Sequence, residues 1–187
     1  MKQTSVHPIL TDLIQAACSA CDGVLFDQCE VCPRCGGFLS GYDVKKKQFA
    51  IIIEESQKKV IQVWVKRFLC RTCRQVCLAH HPIYPGTRIG SPVVDLCVTL
   101  GASMPYSRVS AYLARAGIIV DRWSVRNYAK KIHHTIPTVD MFGVRLPLSI
   151  LSVSSLATRV REGSRIDAEE VLAACRFPSA LSTTTDE

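Results

Sequence analysis

Apolar side chains fall along this chain in two rhythms. Between Ile9 and Cys18 they recur every three or four positions, the spacing that gathers them on one side of an α-helix, so a short helix with an inward apolar face is expected there. From Gln48 to Ile53 and from Val60 to Val65 the residues are instead β-branched and aromatic. The polar run Glu54-Glu55-Ser56-Gln57-Lys58-Lys59 lies between them, which predicts two strands of a hairpin with that run as its turn. After the Pro- and Gly-punctuated stretch His81-Pro82-Ile83-Tyr84-Pro85-Gly86-Thr87 the helical rhythm returns three times. Ser91 is placed to cap a helix over 92–100, with Pro92 at its tolerated first position. Val109, Tyr112, Leu113 and Ala116 share one face of a helix over 106–116 that ends at Gly117. Asp121 is placed to cap a third helix, over 122–132, whose buried stripe is Val125, Tyr128, Ala129 and Ile132. Farther on, Val144–Val153 reads as a strand or docking segment, with Pro147 disfavouring a central strand. Asp167 followed by Glu170 reads as a capping box opening a helix through Cys175, and the polar end 179–187 reads as disordered.

The chemistry sits on the hairpin. Cys32-Pro33-Arg34-Cys35-Gly36-Gly37 precedes its first strand and Cys70-Arg71-Thr72-Cys73 follows its second. Two thiolates separated by two residues reach one ion from a tight turn, and two such turns close a tetrahedral shell of four sulfurs, the ligand set of structural Zn²⁺. One zinc held by Cys32, Cys35, Cys70 and Cys73 is therefore expected, with Gly36 and Gly37 easing the backbone around the sulfurs. An all-thiolate shell has no open position for water or substrate, so the metal stands in for a hydrophobic core and performs no chemical step. Cys29 competes with Cys32 on spacing, but Cys32-Pro-x-Cys-Gly makes the better knuckle. Cys18 and Cys21, with Cys77 and one of His80 or His81, have the chemistry for a second site; buried cysteines and exposed histidines are the plainer account.

Charge then points to a partner. The 187 residues carry a net charge of +7, which favours a polyanion. On the third helix Arg122, Arg126 and Lys130 form a second stripe flanked by Trp123, Asn127 and Lys131. Two short helices joined by a Gly-containing turn have the pattern of a helix-turn-helix, whose second helix enters the major groove of double-stranded DNA. Arg122, Arg126 and Asn127 are the candidates for base reading, Lys130 and Lys131 for backbone contact, and Trp123 for the flank of the same surface. No apolar run is long enough to span a bilayer and no signal-peptide core follows the start, so no membrane partner is expected and the location expected is cytoplasmic, on the nucleoid.

The order of these parts resembles the N-terminal region of bacterial and archaeal insertion-sequence transposases. The resemblance rests on the Cys-Pro-x-Cys-Gly knuckle at Cys32–Gly36, the basic strand Val65–Cys70 running into Cys73, the Pro/Gly linker, and Met104-Pro105-Tyr106-Ser107-Arg108 leading to Gly117 and Trp123-Ser124-Val125. It covers about residues 30 to 134 and implies a zinc ribbon and helix-turn-helix that bind the ends of a mobile element, with a second copy of the chain or a transposase as further partners. The family's catalytic domain, with its three acidic residues, does not fit in the residues that follow; Asp140, Asp167, Glu169 and Glu170 lie in too short a segment to build it.

The expected fold class is thus α+β: an N-terminal helix over 1–28, a small zinc ribbon over 29–80, a helix-turn-helix domain over 88–134 and a partly disordered extension over 135–187. The expected function is non-catalytic DNA binding, and the alternative is a zinc-ribbon protein-interaction adaptor or transcription regulator. His80-His81 and His133-His134 come with no placed nucleophile and suggest no enzyme.

Overall fold

The computed structural model describes residues 6–161 and 166–176, and the expected disorder over 179–187 lies outside them. Among the described residues the chain is mixed α+β, with six helices and two sheets. Helix α1 (Pro8–Ala20) opens with Pro8 in its first turn and buries Leu10, Ile14, Ala17 and Cys18, the apolar face that the spacing predicts.

Strands β2 (Leu39–Glu54) and β3 (Gln57–Cys70) pair antiparallel over nearly their whole length. At about 3.3 Å per residue, sixteen residues carry this hairpin some 50 Å. The polar run expected as its turn is mostly strand: Lys58 and Lys59 pair with Ile53 and Ile52, and only Glu55 and Ser56 turn the chain, with φ of 49° and 64°. Two successive positive φ values make the tight connection whose twist matches the strands it joins. The lysines are accommodated because both of their side chains are exposed, although Ile52 opposite Lys59 is buried. Short strands β1 (Leu25–Phe26, parallel) and β4 (Val76–Leu78, antiparallel) both pair with β3. Along β3 the alternation is plain: Ile61, Val63 and Val65 are buried while Val60 and Trp64 are exposed, as in a sheet packed on one face.

Helix α2 (Ser91–Gly101) is the centre of the helical layer, touching α3 (Tyr106–Arg115), α4 (Arg122–Lys131) and α5 (Leu148–Arg161). Its N-cap is Gly90; the expected cap Ser91 is the first helical residue, its side chain buried. Close approach forces the shift, because a Cβ on Gly90 would lie 2.3 Å from the Phe49 ring. In α3 and α4 the expected stripes hold: Val109, Tyr112, Leu113, Ala116, Val125 and Tyr128 are buried, with Ala129 and Ile132 half-buried. Asp121 caps α4, its carboxylate accepting from the Ser124 amide at 2.9 Å and the Ser124 hydroxyl at 2.6 Å. The α3–α4 connection turns at Gly117, φ 77°, and lies along β2, where Ile53 N donates to Gly117 O at 2.8 Å and Ile119 N to Ile51 O at 2.9 Å.

After α4, β5 (Thr138–Met141) and β6 (Val144–Pro147) form a second, two-stranded sheet. Of the strand or docking segment expected over Val144–Val153, the strand stops at Pro147 and Leu148 onward is α5, because Ile150 and Val153 are spaced to bury one helical face and α5 packs on α1. Helix α6 (Ala168–Ala174) carries the Asp167–Glu170 capping box.

Buried apolar residues from α1, the hairpin and α2 through α6 belong to one continuous cluster, while Cys32, Cys70 and Cys77 form a separate small one. Among the described residues one acid, Asp95, is buried. Asp95 of α2 accepts hydrogen bonds from Tyr84 Oη and Ser149 Oγ, each at 2.9 Å, and Tyr84 Oη lies 3.2 Å from His134 Nε2. Burial raises the Asp95 carboxyl to about 6 against the opposing pull of those two hydroxyls.

Candidate metal centre and basic helix face

The sulfurs of Cys32, Cys35, Cys70 and Cys73 all lie within 4.8 Å of one another. Cys32 Sγ is 3.7 Å from Cys73 Sγ and Cys35 Sγ is 3.5 Å from Cys70 Sγ. A tetrahedron with metal–sulfur bonds of about 2.3 Å has edges of about 3.75 Å, so the four sulfurs have the spacing of a shell around one ion.

Two matching turns build it. Cys32 N donates to Gly37 O at 3.1 Å and Gly36 N to Cys32 O at 2.8 Å; in the second turn Cys70 N donates to Gln75 O at 2.9 Å and Arg74 N to Cys70 O at 3.1 Å. The first thiol of each pair is cradled by amides. Those of Arg34 and Cys35 help pull the Cys32 thiol down to about 6, and those of Cys73 and Thr72 lower Cys70, favouring the thiolates a metal needs. The two glycines after Cys35 serve different needs. Gly36 takes a left-handed φ of 69°, whereas a Cβ on Gly37 would lie 2.4 Å from Thr72 Oγ1, so Gly37 lets the two turns meet.

The other sulfurs stay out of the shell. Cys29 Sγ contacts Val31 O at 3.6 Å, so Cys32 is the member of that pair in the quartet. Cys18 and Cys21 are buried in the main core, while Cys77 sits in the small cluster with its Sγ 3.6 Å from Cys32 Sγ. The second site is therefore not assembled among the described residues. His80 is exposed, and His81, pulled down to about 4 mainly by burial, accepts from Lys47 Nζ at 2.8 Å through Nε2 and donates to Ala79 O at 2.7 Å through Nδ1. Spacing alone could not reveal Cys77 beside Cys32; the pairing of Cys77 with Phe68 across β3 and β4 brings it there.

On α4, Arg122, Trp123, Arg126, Asn127, Lys130 and Lys131 are all exposed. The salt bridges among the described residues engage Glu54, Asp43, Asp140 and Glu170, none of them with a cation of α4. The Arg126 guanidinium carbon lies 5.3 Å over the Trp123 ring centre. Lys131 is tied down, donating from Nζ to Gly86 O at 3.0 Å. Tyr106 and Ser107, which residue type and spacing do not mark as binding residues, line a cleft together with Arg122, Trp123 and Arg126.

Among the described residues no helix is long and apolar enough to cross a membrane. Compared with known proteins, the chain matches no family model, no curated protein and no solved structure.

Proposed function

We propose that this chain is a zinc-containing protein that binds double-stranded DNA, with a zinc ribbon at Cys32, Cys35, Cys70 and Cys73 and a helix-turn-helix formed by α3 and α4. The observation that carries the reading is the exposed face of α4, four cations and an aromatic with no acid paired to them among the described residues. Such a face suits a phosphate backbone and a major groove. Zinc is the metal of the proposal because four thiolates make a closed, soft, tetrahedral set. When bound it supplies cross-linking of the two turns. Descent from an insertion-sequence transposase belongs to the same proposal and rests on the motif order given above.

The proposal includes no catalytic step. Asp140 faces Arg145 at 3.7 Å, Asp167 and Glu170 are engaged in the cap of α6, and Glu170 also pairs with Arg159.

A second reading, a protein-interaction adaptor, is favoured by exposed apolar side chains near the cysteines: Phe38 is 85% exposed, and Val31 and Tyr42 are 57% exposed. A salt series of mobility shifts with duplex DNA tests the choice. DNA binding predicts a complex at low salt whose log affinity falls linearly with log salt; an adaptor forms no retained complex at moderate ionic strength.

A further inference from the structure

We infer that the cleft between the starts of α3 and α4 is a seat for one backbone phosphate of DNA, gripped by Arg122 and Arg126; this rests on the DNA-binding reading and redistributes roles within it. By sequence both arginines count as base readers, but their place in the fold argues otherwise. They lie one helical turn apart on α4 and line a single cleft whose other wall is Tyr106 and Ser107 of α3. Neither arginine has an acid partner among the described residues. The nearest acid in sequence, Asp121, spends its oxygens on the amide and hydroxyl of Ser124. The cleft is therefore lined by two arginines and a serine, residue types whose donors match a tetrahedral dianion or a phosphodiester.

Trp123 acts on this site through Arg126. With its guanidinium carbon 5.3 Å over the indole centre, Arg126 has a cation–π partner that restrains it before any ligand arrives, which reduces the entropy lost on binding. Asn127 and Lys130 remain as the exposed side chains of α4 to face base edges, Lys131 being bound to Gly86 O.

The test uses the full chain loaded with zinc, and two sets of duplexes: those the wild type enriches from a randomised pool and unselected ones. Arg122→Ala and Arg126→Ala should each weaken binding about tenfold, by the same factor on both sets, and each lower the salt slope by about 1. Trp123→Ala should weaken both sets alike, and Arg126→Lys should keep the salt slope while losing affinity. Both arginines are exposed, and unchanged melting temperatures would confirm intact folds. A loss confined to the selected duplexes, or an unchanged salt slope, overturns the phosphate seat and leaves DNA binding standing. A wild type that retains neither set at low salt overturns the DNA-binding reading and the seat together.

Discussion

Gly36 and Arg74 hold the same position in two turns with the same hydrogen bonds: each donates its amide to the carbonyl of the leading cysteine, and each has a left-handed φ, 69° for the glycine and 59° for the arginine. The second turn thus carries a Cβ where the first has none. Left-handed backbone costs a residue with a side chain about 1 kcal/mol.

Replacing Arg74 by Gly should therefore stabilise the metal-bound protein by about 0.5–1 kcal/mol, and Gly36→Ala should destabilise it by a similar amount. Because a Cβ on Gly36 meets nothing within 4 Å, the whole effect at that site is conformational. Chemical denaturation in saturating zinc measures both.

Five sulfurs crowd one end of the hairpin, but four make the shell. Elemental analysis should find one zinc per chain; Cys77→Ala should keep it, and Ser at 32, 35, 70 or 73 should lose or greatly weaken it. The sulfur cluster is separate from the main core, so a chelator should loosen the turns and leave the helical circular dichroism nearly unchanged. Full unfolding by chelator would show that the two clusters are energetically one.

Gly90 meets the Phe49 ring where α2 begins. A methyl group placed 2.3 Å from an aromatic carbon has to displace the ring or the helix, so Gly90→Ala should cost about 1–3 kcal/mol in thermal or urea melts.

Acid acts on two buried groups in opposite senses. Asp95, raised from 3.8 to about 6, binds its proton more readily folded than unfolded; its contribution is complete below about 4 and disappears as pH rises through about 6. His81, lowered from 6.5 to about 4, contributes stability above about 6.5 that disappears as pH falls through about 4. Each is worth at most about 3 kcal/mol, so they largely offset one another in the wild type. Asp95→Asn removes one side of the balance, and its stability should fall visibly more steeply than the wild type between pH 6.5 and 4. Parallel curves for the two proteins would show that Asp95 does not titrate in that window.

Local patterns were readable from the chain and long-range ones were not. The cysteine turns announce themselves because both ligands of each pair sit in one tight turn, and α3 and α4 because Val109, Tyr112, Leu113, Val125 and Tyr128 keep a helical period. Leu148–Val153 misleads, since a short apolar run has no period that separates a strand from a helix until α1 supplies a surface for Ile150 and Val153. Ser91 has the composition of a cap but sits one residue too late, a shift imposed by a ring some forty positions away. Asp95 was legible only as a lone acid in an apolar helix; its partners Tyr84, Ser149 and, through Tyr84, His134 come from three other segments.

The connection between α3 and α4 is stitched to the turn end of an arm of about 50 Å, Ile53 N donating to Gly117 O and Ile119 N to Ile51 O. Helices and arm consequently swing as one lever with no elbow. A nucleic acid held at both places would be measured as if by a ruler, and its two contacted stretches could differ in sequence but never in separation.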